Sequence, residues 1–291
     1  MVFGLSNVLT YFRMIKFSHT IFALPFALAA AILACKQYHV ELIDIFWILL
    51  AMTGARSAAM GFNRIADAEF DAKNIRTANR AIPAKTISLA ASALFVFIFA
   101  LVFVFASAML GRICFYLSIP VLIILFSYSY AKRITLLSHI YLGFAISLAP
   151  IGAWIALTDT FSPAILLLSL ALMFYIAGFD IIYACQDIDF DKKEGLYSIP
   201  AGVGIKKALM ISKTIHFFSF FFFCLIYHAF DMHSIYLIAL CIIGILLIIE
   251  HRLVKSDDLE KIKIAFFHVN SIISVTLFAG ILLDELARRW I

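Results

Sequence analysis

Long apolar stretches separated by short polar ones run the whole length of the 291-residue chain. A helix needs roughly 20 mostly apolar residues to cross a hydrocarbon core about 30 Å thick. Nine stretches meet that length, near 17–35, 43–62, 86–109, 113–130, 137–158, 163–184, 208–229, 234–250 and 264–284. Each is predicted as an α-helix, because an open strand would leave its backbone N–H and C=O groups unpaired in lipid. The first stretch follows Arg13 and Lys16 and ends in Ala-rich sequence at Cys35, as a signal peptide would. Eight further spans downstream make it a first transmembrane helix instead. The fold class expected is all-α integral membrane, one polytopic domain over residues 1–291, since the spans follow too closely for a soluble domain between them.

Composition agrees with the pattern. Hydrophobic residues make up 64% of the chain and charged ones 14%, with a mean hydropathy of +1.03, whereas soluble domains are about 45–50% apolar and about 25% charged. The linkers alternate in charge. Basic ones are the N-terminus (Arg13, Lys16), 63–85 (Arg64, Lys73, Arg76, Arg80, Lys85), 131–136 (Lys132, Arg133), 185–207 (Lys192, Lys193, Lys206, Lys207) and 251–263 (Arg252, Lys255, Lys261, Lys263). The others are short and hold only Lys36 and Arg112. The positive-inside rule therefore predicts a multi-pass protein of the inner (cytoplasmic) membrane, with the N-terminus in the cytoplasm and the C-terminus outside. Arg288 and Arg289 in the tail run against the alternation. The net charge of +5 reflects the anionic leaflet and not nucleic acid. Cys35, Cys114, Cys185, Cys224 and Cys241 are scattered singly, without a C-x-x-C, and are expected as small packing residues.

Acidic residues are scarce, and eight of the eighteen sit in two segments on the basic side, 61–83 and 178–195. These segments close the second and sixth spans with the same short pattern, Asp67-Ala-Glu-Phe-Asp71 and Asp187-Ile-Asp-Phe-Asp191, which is read as a degenerate internal duplication. Asn63 and Tyr183 stand four residues upstream of each. On a helix, positions i, i+4 and i+8 share a stripe, so the two carboxylates of each pair repel unless a cation sits near them. Hard oxygen ligands without Cys or His point to Mg2+, which takes one or two carboxylates and completes its shell with water and phosphate oxygens. The metal ligands expected are Asp67, Asp71, Asp187 and Asp191. Arg76, Arg80, Lys132 and Arg133 are interleaved with them and suit a diphosphate. No G-x-x-x-x-G-K-[ST] occurs, so nucleotide hydrolysis has no support.

Two charges lie deeper. Arg56 stands seven residues before Asn63 in the second span, and Asp180 seven before Asp187 in the sixth. A charge inside the membrane costs about 2.5–3.5 kcal/mol or more and marks a functional candidate by default. Arg56 either pairs with Asp180 and merely holds two helices together, or binds an anionic substrate beneath the metal site. The remaining histidines, His19 among them, are scattered and are given no catalytic role.

With these residues in place, the chain resembles the UbiA superfamily of intramembrane prenyltransferases over nearly its full length. The motifs that carry the likeness are N-x-x-x-D-x-x-x-D (Asn63, Asp67, Asp71) followed by R-T-x-x-R (Arg76, Thr77, Arg80), and D-x-x-Y-x-x-x-D-x-x-x-D (Asp180, Tyr183, Asp187, Asp191). Tyr128-Ser-Tyr130-Ala-Lys132-Arg133 is similar to the family's Y-x-x-x-K-R segment. Within the superfamily the likeness is strongest to 4-hydroxybenzoate polyprenyltransferases of quinone biosynthesis. The resemblance implies a UbiA-type helical bundle with a cytoplasmic-side active site, a polyprenyl diphosphate as donor and a hydroxyaryl carboxylate as acceptor. It places Arg56 on the acceptor carboxylate, and Asn63 is expected on the acceptor side as well. Asp180 is expected either to draw off the phenolic proton or to orient Arg56 and other ligands. The segment from Lys16 to Pro25 resembles instead a branch found in menaquinone-making bacteria, which implies a dihydroxynaphthoate as the alternative acceptor. Both acids carry a carboxylate and a ring hydroxyl, so Arg56 suits either.

The runner-up is another member of the same superfamily with a different acceptor, such as a haem O synthase or a chlorophyll or archaeal-lipid prenyltransferase, against which the Arg56 position favours a carboxylate. Other classes fit less well. A CDP-alcohol phosphotransferase would need a D-G-x-x-A-R opening, which is absent. A secondary transporter would gather its charges at the bilayer midplane on broken helices, whereas these acids crowd the membrane edge.

Overall fold

The structure is a computed structural model that describes residues 5–290. In chain order its helices are α1 (Leu5–Met14), α2 (Leu24–Ala34), α3 (Leu42–Ala66), α4 (Ala68–Lys73), α5 (Leu89–Met109), α6 (Arg112–Ser127) and α7 (Ser138–Thr158). The second half holds α8 (Pro163–Ala184), α9 (Ile188–Lys193), α10 (Ile199–Val203), α11 (Ile205–Ala229), α12 (Ser234–Leu253) and α13 (Asn270–Trp290). Among the described residues, nine helical stretches are long and apolar enough to cross a membrane, and they coincide with the nine expected from the pattern. The protein is an all-helical, multi-pass membrane protein.

Local chemistry sets several boundaries. The Ser88 hydroxyl accepts the Ala91 N–H at the start of α5, and Ser162 accepts that of Ala164 at the start of α8, where Pro163 follows. Each serine satisfies a donor that a helix N-terminus leaves orphaned, and proline costs nothing there because its missing N–H would have no partner. The first span departs from the expected single helix. It opens as a tight 3-10 stretch over Phe17–Phe22 and restarts as α-helix at Leu24, with Pro25 in the first turn. A short helix, α1, precedes it, and the second span runs on to Ala66, four residues past the expected end.

The backbone gathers into two compact units. One comprises residues up to Thr20 and 46–130. Here α3 presents small residues, Ala51, Gly54, Ala58 and Gly61, toward α5. A Cβ on Gly54 would come within 2.8 Å of the Phe103 backbone nitrogen, and one on Gly61 within 2.8 Å of Val96 Cγ2. Lipid tails are as apolar as leucine, so close van der Waals approach of this kind is what holds membrane helices together.

The other unit comprises 21–45 and 131 onward. Its centre is α8, packed against α7 and α11, with α2 against α7 and α13, and α12 against α13. Serines of α11 reinforce the α8 packing: Ser212 donates to the Gly178 carbonyl at 2.7 Å and Ser219 to that of Ala171 at 2.8 Å. The buried Asp284 carboxylate of α13 accepts the N–H groups of His233 and Tyr236 at 2.9 and 3.0 Å, which caps α12 from a neighbouring helix. On the same side Lys36 donates to the Phe230 carbonyl and stands 3.6 Å from Glu285.

Candidate active site

The two acidic motifs have the same backbone. Both middle aspartates leave helical geometry, Asp67 at φ −94°, ψ 7° and Asp187 at φ −107°, ψ 9°, and each opens a six-residue helix, α4 and α9. The duplication read from sequence is thus repeated as a break of each span at the second motif position. Through the first break the N–H of Asp67 still donates to Asn63 O at 2.9 Å and that of Asp71 to Asp67 O at 2.8 Å. The i, i+4, i+8 stripe therefore survives the break.

In the first unit Asn63 donates through Nδ2 to Asp67 Oδ2 at 2.9 Å. Asp71, only 6% exposed, is held by Arg80, whose Nη1 lies 2.6 and 2.7 Å from its two oxygens, while Arg64 Nη1 stands at 3.8 Å. The Thr77 hydroxyl donates to the Asp71 carbonyl at 3.0 Å, so the turn after α4 folds back on its own motif and carries Arg80 to Asp71. Arg76 is exposed on this turn. Arg64, counted from sequence only as a loop charge, is buried and also donates through Nε to Met14 O at 3.2 Å. Its place beside Asn63 in the motif was the available signal.

Arg56 lies inside α3, seven residues before Asn63. Its Nη2 donates to the Lys16 carbonyl at 3.2 Å, and its buried Nε has no hydrogen-bond partner. Among the described residues no carboxylate pairs with it.

In the second unit Asp191 is 2% exposed, and Lys132 Nζ stands 3.7 Å from its Oδ2, an oxygen without a hydrogen bond. The Tyr197 N–H donates to the Lys132 carbonyl at 2.7 Å, which fixes the Lys132–Arg133 turn to the segment that follows the second motif. Asp187 is buried, and Tyr183 packs its ring on Phe266 at 4.2 Å between centroids. Asp180 receives a hydrogen bond from a residue to which the sequence assigned no role: His139 Nδ1 lies 2.7 Å from Asp180 Oδ2.

The donor set fits a hard divalent cation. The four motif aspartates offer only oxygens, and a buried carboxylate oxygen of Asp191 waits without a hydrogen-bond donor. Among the described residues no group of three His, Cys, Asp or Glu makes a metal cage by itself. An ion here would need substrate oxygens and water to complete its shell, which is how magnesium binds beside phosphates.

Comparison with known proteins gives the family. The chain is 30% identical over 239 residues to the 4-hydroxybenzoate octaprenyltransferase of Nitrosomonas eutropha, covering 79% of this chain and 80% of that one. The apo structure of a UbiA homolog from Aeropyrum pernix superposes with a TM-score of 0.83 at 32% identity, over 91% of this chain and 98% of that chain. A UbiA homolog from Archaeoglobus fulgidus, bound to DMAPP and Mg2+, shares the fold with a TM-score of 0.73 at 17% identity, over 95% and 99%. The UbiA prenyltransferase family matches residues 23–272, which include both aspartate motifs, and the chain belongs to that family.

Proposed function

We propose that this prenyltransferase moves a polyprenyl group from a polyprenyl diphosphate to the ring of a hydroxyaryl carboxylic acid of the 4-hydroxybenzoate type, in quinone biosynthesis. The observation that carries the acceptor assignment is Arg56, a guanidinium inside a membrane span with no carboxylate partner among the described residues. Such a charge is costly when unneutralised. An acceptor carboxylate supplies the missing counter-charge and matches the fork of the guanidinium. The 30% identity to a 4-hydroxybenzoate octaprenyltransferase supports the same acceptor class. A dihydroxynaphthoate carries the same two groups and is the second acid to test.

We assign the remaining roles as follows. Asp67 and Asp71, and separately Asp187 and Asp191, would hold magnesium, which supplies positive charge to a departing diphosphate. Arg76, Arg80, Lys132 and Arg133 would donate to the diphosphate oxygens. Arg80 is already an exchangeable cation on Asp71, and its 23% side-chain exposure leaves it reach toward an incoming anion. Asn63, whose Nδ2 is taken by Asp67, would accept the acceptor's hydroxyl through Oδ1. Asp180 would take the phenolic proton, leaving the electron pair on the ring oxygen. The ortho carbon then bonds to the allylic carbon as the C–O bond to diphosphate breaks, its electron pair leaving with the diphosphate. Loss of the ortho proton restores the aromatic ring, and Asp180 returns its proton to the oxygen, so the products are prenylated phenol, diphosphate and one proton. We place the whole chain in this role as one domain of the cytoplasmic membrane, with the N-terminus and the motif loops in the cytoplasm.

The test is direct. Purified protein receives magnesium, a polyprenyl diphosphate and either 4-hydroxybenzoate or a dihydroxynaphthoate, and the product is identified by mass. A C-prenylated acid is expected; prenylation only of phenols lacking a carboxylate overturns the acceptor assignment.

A further inference from the structure

We infer that His139 is a positioning residue for Asp180, orienting its carboxylate so that Oδ1 is the atom that takes the acceptor's proton. This rests on the role given to Asp180 above. His139 is the second residue of α7, fully buried, and within its unit it touches two other segments. Its Nδ1 lies 2.7 Å from Asp180 Oδ2 in α8, and its Nε2 lies 3.4 Å from the backbone nitrogen of Ile199. That amide can only donate, so Nε2 must present its lone pair and Nδ1 its hydrogen. The tautomer is therefore set by α10: Ile199 is its first residue, and a helix N-terminus has N–H groups with no partner of their own. The imidazole accepts one of these and donates to the carboxylate, the arrangement by which a second hydrogen bond fixes a histidine's working nitrogen.

The consequence falls on Asp180. One of its oxygens is held by a charge-assisted bond, so rotation about the carboxyl bond is suppressed. The other oxygen has no partner among the described residues, and the side chain keeps 21% of its exposure. A carboxylate with one oxygen anchored and one open is suited to accept a proton in a fixed direction. His139 is sealed from solvent, and its far nitrogen already receives an N–H, so it offers no exit for a proton and acts only through Asp180. The segment that sets the tautomer follows directly on the second aspartate motif, where the Tyr197 N–H is tied to Lys132 O at 2.7 Å.

The experiment compares Asp180→Asn, His139→Ala and His139→Asn in the purified full-length protein, with magnesium, polyprenyl diphosphate and whichever acceptor acid it turns over. His139→Ala should lower kcat by about tenfold to a hundredfold, the range for one hydrogen bond to a charged group, while KM for prenyl diphosphate stays within about twofold. His139→Asn places an amide N–H near the former Nδ1 and should recover kcat to within about fivefold of the parent, although it cannot reach Ile199. In the Asp180→Asn background, His139→Ala should add little, since residues that act as one unit are non-additive. Undiminished turnover in Asp180→Asn overturns the role of Asp180 and this inference with it. An impaired Asp180→Asn beside a normal His139→Ala overturns this inference alone. If His139→Ala fails to fold, His139→Asn decides: a folded protein of unchanged melting temperature whose kcat has fallen by more than tenfold refutes the positioning role.

Discussion

At the residue scale the informative contrast is between two arginines. Arg80 makes both of its short contacts with one carboxylate, whereas among the described residues Arg56 hydrogen-bonds a backbone carbonyl and no carboxylate. Arg56→Ala should weaken acceptor use by about tenfold to a hundredfold with little effect on prenyl diphosphate, since one charged hydrogen bond is worth about 1.5–3 kcal/mol. Arg56→Lys should rescue only in part, because a point charge lacks the bidentate fork. Separate titrations of the two substrates check this, and equal losses for both with a lowered melting temperature would make Arg56 a strut. Arg80→Gln should show the opposite selectivity, raising KM for prenyl diphosphate about tenfold and leaving that for the acceptor nearly unchanged. The same titrations read it; parallel losses would mean that Arg80 only braces Asp71.

At the scale of elements, the close crossings are set by absent side chains. A Cβ on Gly143 of α7 would run into the Met173 carbonyl of α8, whereas one on Gly152 of the same helix would meet nothing within 4 Å. Gly143→Ala should therefore destabilise the protein by about 1–3 kcal/mol, the usual cost of overpacking, and Gly152→Ala should not. Thermal melts in detergent distinguish them. The helix breaks at Asp67 and Asp187 belong to this scale too. Neither aspartate adjoins Gly or Pro, so no local breaker marks them, yet both spans bend at the same motif position. The repeat of residue types was legible, and the repeat of geometry was not, because turn geometry without glycine or proline is imposed by surrounding packing.

For the whole molecule, the carboxylates stand at the ends of spans whose interiors carry the packing. Asp67→Ala, Asp71→Ala, Asp187→Ala and Asp191→Ala should each lower turnover by orders of magnitude while membrane insertion is unchanged, and chelation of divalent metal should abolish activity in the parent protein. Full turnover in excess chelator refutes the metal assignment. Asp71→Ala should also cost stability, because it strands the buried Arg64 beside a partner that is gone.

The number and type of spans followed from sequence because partition into lipid is nearly a sum over some 20 consecutive residues, and the backbone in lipid has no economical alternative to helix. The aspartate motifs and their basic neighbours were legible for a related reason: metal and phosphate chemistry restricts residue type and local spacing. Tertiary structure alone decided the partners. His139 and Asp180 are 41 residues apart, and the amide that fixes the imidazole lies 60 residues from it, on a third segment. A single histidine has no periodicity to betray it, and the burial of Arg64 depends on α1, which the apolar pattern did not mark as an element. Local preference determines which elements form; the hydrogen-bond partner of a buried polar group is determined by which elements meet.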